Sequence, residues 1–142
     1  MVGYERGNRV ITFDGTFYRI TEPEFEMTIP AWEAYEPDTA DQADATITFR
    51  DGSRRYATFM TLDVVQQVMD NNARTGERLG GRYFWCSDLI VIRDVGFEGM
   101  VTAIRDLVSS GGIEGACGLL DPLDDGGEKS TPRESPEREW SG

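Results

Sequence analysis

Hydrophobic and polar residues alternate along two stretches that each contain an Asp-Gly pair. One stretch covers residues 9–22 around Asp14, and the other covers residues 45–60 around Asp51. Because glycine tolerates a positive φ angle, an Asp-Gly pair between alternating segments is typical of a tight turn, and both stretches are predicted to be β-hairpins. Both faces of the first hairpin are fairly apolar, which indicates that it lies inside a larger sheet.

The segment between the hairpins contains three prolines and has a mixed pattern. Residues 25–29 alternate as in a short strand, whereas Trp32 and Tyr35 have the three-residue spacing of one helical turn. The flanking prolines keep any helix here short. Three aspartates then follow in a predicted polar loop: Asp38, Asp41 and Asp44.

Two later stretches repeat their apolar residues every three or four positions, which predicts amphipathic helices. The first helix is expected to begin after Thr61, a favourable N-cap, and to stop at Gly76. The second covers about residues 95–110 and ends at two glycines. Between the helices, residues 82–86 and 89–92 are predicted to be either two apolar strands or, because only two residues separate them, one bent or bulged strand.

The resulting order of elements predicts an α+β fold. We expect a mostly antiparallel sheet of about five to six strands, with two amphipathic helices packed on one face. Residues 1–120 would form this single domain. Residues 121–142 hold seven acidic residues, three basic residues and three of the six prolines, which predicts a disordered tail. Trp140 in this tail is either a short docking motif or an incidental exposed side chain.

The net charge of −12 changes the range of expected partners. A negative field repels nucleic acid phosphates and anionic lipid headgroups, so direct binding to nucleic acid or to a membrane is not expected. The same field favours a basic protein partner, although an acidic surface that only keeps the protein soluble is the plainer interpretation. No apolar run approaches the roughly 20 residues that span a bilayer, and no secretory pattern is visible, so we expect a cytoplasmic protein.

The sequence lacks residues that common catalytic and metal-binding sites require. The chain contains no histidine, which excludes Ser-His and Cys-His pairs and the common zinc sites. Cys86 and Cys117 are far apart and are predicted to be reduced, partly buried thiols, although sequence alone does not exclude a disulfide. The acidic run at 36–44 departs from the EF-hand pattern and is more simply a solvated loop. We therefore expect no enzyme, no cofactor and no metal, and the oligomeric state stays open.

One aromatic cluster is harder to explain as core alone. Residues 83–88, YFWCSD, place three aromatic side chains directly before a cysteine, a serine and an aspartate. On a strand, Phe84 and Cys86 would share the buried face, and the alternate residues would be either core or a binding face, because Tyr and Trp are enriched at interfaces. The candidate partner-binding residues are Tyr83, Trp85 and Asp88, flanked by Glu77 and Arg82, with Trp32 and Tyr35 as more distant candidates.

The same region carries a resemblance. The residues concerned are Phe49, Asp51, Gly52, Ala57, Thr58, Phe59, Thr61, Gly76, Glu77, Gly81, Tyr83, Phe84, Trp85, Ser87, Asp88 and Leu89. In their spacing, about residues 45–115 resemble a family of small bacterial proteins, some of which are similar to immunity proteins of toxin–immunity loci. Most of these residues belong to predicted turns and core. The resemblance therefore implies a shared fold more than a shared function, and it implies no catalytic set.

These observations lead to one preferred hypothesis and two alternatives. The preferred function is a non-enzymatic interaction protein of immunity type, which binds and neutralises a cognate toxin. If this is right, Trp85→Ala and Asp88→Ala should weaken partner binding and leave the fold intact. The first alternative is a small-ligand or sensory domain in which Trp32, Tyr35, Tyr83 and Trp85 line a pocket. The second is a hydrolase that depends on the carboxylates of the acidic run.

Overall fold

In a computed structural model of the chain, the structure describes residues 2–6, 9–31 and 36–120. Two of the candidate aromatic residues, Trp32 and Tyr35, lie outside the described residues. The same is true of residues 121–142, so the prediction of a disordered tail and the two interpretations of Trp140 are untested. Among the helices of the described ranges, none is long and apolar enough to cross a membrane.

Eight strands form one sheet within the described chain. Their bounds are β1 (Val2–Arg6), β2 (Arg9–Phe13), β3 (Phe17–Thr21), β4 (Phe25–Pro30), β5 (Gln42–Phe49), β6 (Arg54–Thr61), β7 (Leu89–Ile92) and β8 (Gly118–Leu119). Strands β1 to β7 lie side by side in chain order, and β8 also pairs with β6. Every pair is antiparallel except β6 with β7, which is parallel. The predicted α+β class is confirmed, with more strands than expected because β1 and β8 were not predicted.

Four helical segments complete the described part of the chain. They are α1 (Leu62–Thr75), α2 (Glu77–Gly81), α3 (Phe97–Ser110) and α4 (Ile113–Ala116). The Thr61 hydroxyl accepts a hydrogen bond from the Val64 amide at 3.3 Å, and α1 ends at Gly76 with a φ angle of 89°. Both predicted boundaries of α1 are therefore confirmed, and so is the glycine stop of α3 at Gly111.

The two predicted hairpins are confirmed as β2–β3 and β5–β6. The Asp14 carboxylate accepts hydrogen bonds from the amides of Thr16 and Phe17, and the Asp51 carboxylate accepts one from the amide of Ser53. The glycine after each aspartate has a positive φ angle, as the turn chemistry requires. Local sequence therefore determines both turns.

One face of the sheet and α3 enclose the hydrophobic core. The core includes every second residue of β3 to β6, while the residues between them turn to the opposite face. Tyr18 of β3 meets Phe97 of α3 edge to face, with ring centroids 5.2 Å apart. The largest fully buried side chains are Phe59, Phe97, Ile11, Ile20, Met27, Ile29, Ile47, Met100, Ile104, Val101 and Cys117.

The expectation that both long helices pack on one face is wrong for α1. Only Val64 of α1 is buried, and no α1 residue belongs to the core, whereas α3 buries four side chains there. α1 packs mainly against α2, the helical segment that follows it, and against β6. The apolar stripe of α1 is thus only partly covered, since α3 already fills the core face.

Two further predictions are wrong in detail. Residues 82–86 do not form a strand, because the outer edge of β6 is already paired with β7 at residues 58–61 and with β8 at residues 55–56. Asp44 belongs to β5 rather than to a polar loop. In both places, the pairing of strands in the sheet determined whether the backbone forms a strand.

Candidate functional site

The connection between α1 and β7, residues 76–88, begins with a left-handed turn. Arg78, Leu79 and Gly80 have φ angles of 54°, 57° and 68°. The amide of Arg82 donates to the carbonyl of Arg78 at 3.2 Å and closes the turn. A left-handed conformation costs a non-glycine residue about 1–2 kcal/mol, so the surrounding structure must hold Arg78 and Leu79 in place.

The support comes from a close approach of this turn to α1. Gly81 has a φ angle of 81° and lies directly against the helix backbone. A β-carbon at this position would overlap the Met69 carbonyl oxygen and would lie 2.9 Å from the Ala73 nitrogen. Glycine therefore allows the connection to pack on the last two turns of α1.

The connection exposes large apolar side chains. Leu79 is 73% exposed, Trp85 is 50% exposed and Tyr83 is 44% exposed, while Phe84 and Cys86 are less exposed. The predicted alternation between an outer and an inner set is therefore present, although the backbone is not a strand. Exposed aromatic side chains this close in sequence are a candidate contact surface.

Three arginines accompany these apolar groups: Arg74, Arg78 and Arg82. All three side chains are exposed, and within the described ranges none of them forms an ion pair. The one acid between them is Glu77, which accepts a hydrogen bond from the Thr75 hydroxyl at 3.3 Å. Residues 74–86 thus carry charge opposite in sign to the chain as a whole. Together, Leu79, Tyr83, Trp85 and these three arginines make up the connection surface.

Asp88 contributes to the fold. Its carbonyl accepts a hydrogen bond from the Thr58 amide at 2.9 Å, and its carboxylate accepts one from the Gly118 amide at 2.8 Å. Its φ angle is 60°, a conformation that aspartate tolerates better than most residues. Asp88 therefore joins β6, β7 and β8, and its replacement by alanine would disturb the fold as well as any interface.

The two cysteines are free, as predicted, and both have raised pKa values. Burial raises the pKa of the Cys117 thiol to about 11, with a smaller contribution from Asp88. Burial, followed by the negative charges of Asp44 and Asp88, raises the pKa of the Cys86 thiol, and Arg78 opposes this in part. Because the thiolate is the reactive form, these environments make both cysteines poor nucleophiles at neutral pH.

The acidic run serves the fold at the positions that the structure describes. The carbonyls of Pro37 and Ala40 accept hydrogen bonds from the amides of Phe97 and Gly96, which satisfies the start of α3. Asp44 accepts a hydrogen bond from the Thr58 hydroxyl at 3.2 Å. Within the described ranges, no group of three or more His, Cys, Asp or Glu side chains is placed to hold a metal ion.

A cavity of about 260 Å³ lies elsewhere, between the β3–β4 turn and α3. It is lined by Glu22, Pro23, Glu24, Phe25, Arg105 and Ser109. The buried Glu22 carboxylate and the Arg105 guanidinium form an ion pair at 2.5 Å in its wall. The cavity contains neither Tyr83 nor Trp85, and these two side chains are exposed. Because Trp32 and Tyr35 lie outside the described residues, the aromatic pocket of the alternative hypothesis stays a prediction.

Sequence reasoning identified Tyr83, Trp85, Glu77 and Arg82 at this surface but missed Leu79, Arg74 and Arg78. The four-residue spacing of the arginines was a visible signal. The left-handed turn was not predicted, because only the contact of Gly81 with α1 fixes it.

Comparison of the chain with protein-family models, with curated proteins and with solved structures finds no match. The resemblance to immunity-type proteins therefore stays a prediction, and no family is assigned.

Proposed function

We propose that this protein is a non-enzymatic interaction domain that binds another protein through the connection surface. The observation that carries the proposal is the exposure of Leu79, Tyr83 and Trp85, which fall within seven residues of one another on a connection whose Gly81 lies against the backbone of α1. Trp, Tyr and Arg are the residue types that contribute most often to binding energy at protein interfaces. A pre-shaped turn also loses little conformational freedom on binding, which favours affinity.

The chemistry of the chain supports a non-enzymatic role. The chain has no histidine to act as a general base, and both thiols have pKa values that favour the protonated form. The exposed aromatic and arginine groups can make contacts, but none of them is paired with a base that could activate it.

The resemblance to immunity-type proteins supports a toxin domain as the partner and a cytoplasmic site of action. The net charge of −12 favours the encounter with a partner whose wider surface is basic. At the connection surface itself the local charge is positive, so a partner should place acidic groups against the arginines there. The proposed partner is therefore a largely basic domain with an acidic and apolar contact segment.

The proposal is tested by capture from a lysate of the source organism, with the full chain as bait and mass spectrometry of the bound proteins. The product of a gene adjacent to this one should be captured in stoichiometric amount. The Kd between this purified partner and the chain should then rise about tenfold or more with Trp85→Ala. The reason is that a Trp buried at a protein interface is often a dominant contact.

A pair of exposed leucines provides the matched control. Leu79→Ala should weaken binding about fivefold, while Leu62→Ala should leave the affinity unchanged. Leu62 is 69% exposed, and α1, 14 residues and so about 21 Å long, separates it from Leu79. Equal affinity of wild type and Trp85→Ala, or equal losses for the two leucine variants, would reject the connection surface as the binding site.

A further inference from the structure

The connection surface combines exposed apolar side chains with positive charge in a chain whose net charge is −12. Elsewhere among the described residues, Arg19 and Arg105 form ion pairs with carboxylates, while Arg50 and Arg55 donate to backbone carbonyls. The guanidinium groups of Arg74, Arg78 and Arg82 form no such ion pair with any described residue. A nearby acidic segment would therefore find an unneutralised basic surface.

The chain itself supplies an acidic segment, which directly follows Leu120 in the sequence. The last described residue, Leu120, donates its amide to the Arg54 carbonyl at 2.8 Å. Two residues earlier, the Gly118 amide donates to the Asp88 carboxylate at 2.8 Å. Because Asp88 is only three residues from Trp85, the two residues are at most about 11 Å apart along the chain. Leu120, two residues beyond Gly118, therefore lies within about 25 Å of Trp85 along this path.

Residues 121–128, DPLDDGGE, have the complementary chemistry. They contain four carboxylates, no basic residue and one large apolar side chain, Leu123. Eight extended residues reach about 26–29 Å, which is enough to span from Leu120 to Trp85. The next residue is Lys129, and beyond it bases and acids are mixed, so the purely acidic part is the part that directly follows Leu120.

We propose that residues 121–128 dock on the connection surface of their own chain. Their carboxylates would pair with Arg74, Arg78 and Arg82, and Leu123 would cover part of the apolar groups. Each exposed ion pair is weak and sensitive to salt, but a short tether supplies a high effective concentration. If the surface also binds a partner, as proposed above, this segment competes with the partner and makes binding depend on its displacement.

The test uses the full chain and two variants that each lose three negative charges. The test variant neutralises the near segment with Asp124→Asn, Asp125→Asn and Glu128→Gln. The control variant neutralises the distant segment with Glu134→Gln, Glu137→Gln and Glu139→Gln. The readouts are the nuclear magnetic resonance signals of the Trp85 indole N–H and of the backbone amides of residues 74–86, with the Trp85 signal assigned from Trp85→Phe.

At about 20 mM salt the test variant should move these signals and speed amide exchange at residues 78–85 about threefold or more. The control variant should leave both near the wild-type values. About 0.5 M salt should give the wild type the spectrum of the test variant, because screening weakens the same ion pairs. Signals that coincide in all three proteins, or that move equally in both variants, would overturn the proposal. A shift that disappears on dilution would overturn it in favour of contact between two copies.

The experiments distinguish failure of the docking proposal from failure of the proposed function. If the signals move as expected but no partner is captured, the docked segment stands and the proposed function fails. If a partner binds wild type and test variant with equal affinity and the signals do not move, the proposed function stands and the docked segment fails.

Discussion

Cys117 is a fully buried thiol at the junction of α4, β8 and the sheet. Its side chain is 1% exposed, and its carbonyl accepts a hydrogen bond from the Arg55 guanidinium at 2.7 Å. Burial, with a smaller effect from Asp88, raises the pKa of the thiol from 9.0 to about 11. Folding therefore favours the protonated form, and ionisation of this group opposes folding.

The pKa of Cys117 predicts a loss of stability in alkaline solution. Because the folded-state pKa is raised, the contribution of the thiol is complete below about pH 9 and is lost as the pH rises through about 11. Urea unfolding of the wild type between pH 8 and pH 11 should show this decline, and Cys117→Ala should show a shallower one. The same slope in both proteins would show that Cys117 is not the group responsible. Tyr56, whose pKa burial and then Asp44 raise to about 12, should act at still higher pH.

Two glycines at the ends of the left-handed turn differ in their surroundings, and this difference predicts different costs of substitution. Gly76 and Gly81 both have positive φ angles, but a β-carbon on Gly76 would meet open space, whereas one on Gly81 would overlap the backbone of α1. Gly76→Ala should lower the free energy of unfolding by about 1 kcal/mol. Gly81→Ala should lower it by about 3 kcal/mol or more, because backbone must move. Equal losses in urea unfolding would contradict the close approach of the connection to α1.

At the scale of elements, α1 and α3 have the same length but differ in how much of each helix packs on the core. Each has 14 residues, yet α3 buries Phe97, Met100, Val101 and Ile104, while α1 buries only Val64. The ends of α1 are defined by its Thr61 and Gly76 caps, and it packs mainly against the connection that follows it. Its stability therefore depends on local contacts more than on the core.

This difference predicts separate opening of the two helices. Native-state hydrogen exchange should give the amides of α1 a lower free energy of opening than those of α3, because fewer apolar contacts are lost when α1 opens. The amides in the middle of α3 should exchange only through global unfolding. If both helices exchange with the same free energy, α1 is part of the same cooperative unit as the core, and the description of α1 as loosely held is wrong.

At the scale of the whole molecule, charge and apolar surface are arranged unevenly. The net charge is −12, but the connection between α1 and β7 is locally positive and carries Leu79, Tyr83 and Trp85 on its surface. Long-range attraction therefore favours a partner that is basic overall, whereas contact with the connection surface favours acidic and apolar groups. The proposed docking of residues 121–128 has the same basis, because this acidic segment and the positive connection surface belong to one chain.

Local chemistry made much of the fold predictable. The Asp-Gly turns, the Thr61 cap and the glycine stops depend on residues a few positions apart, and all of them are confirmed. The alternation of exposed and less exposed side chains at 83–86 was also visible, because it follows from the order of apolar residues alone. These features need no information about distant parts of the chain.

Contacts between distant residues decided the rest. The pairing of β6 with both β7 and β8 left residues 82–86 without a strand partner, and β1 and β8 became strands through neighbours that their own weak patterns do not reveal. α3 covers the core, whereas α1 buries only Val64 and contributes no residue to the core cluster. Sequence alone therefore determined the turns, the caps and the candidate aromatic residues. Tertiary structure decided where the second helix lies and which surface the aromatic residues share with the arginines, because competition for backbone partners and core area is settled only when the whole chain is packed.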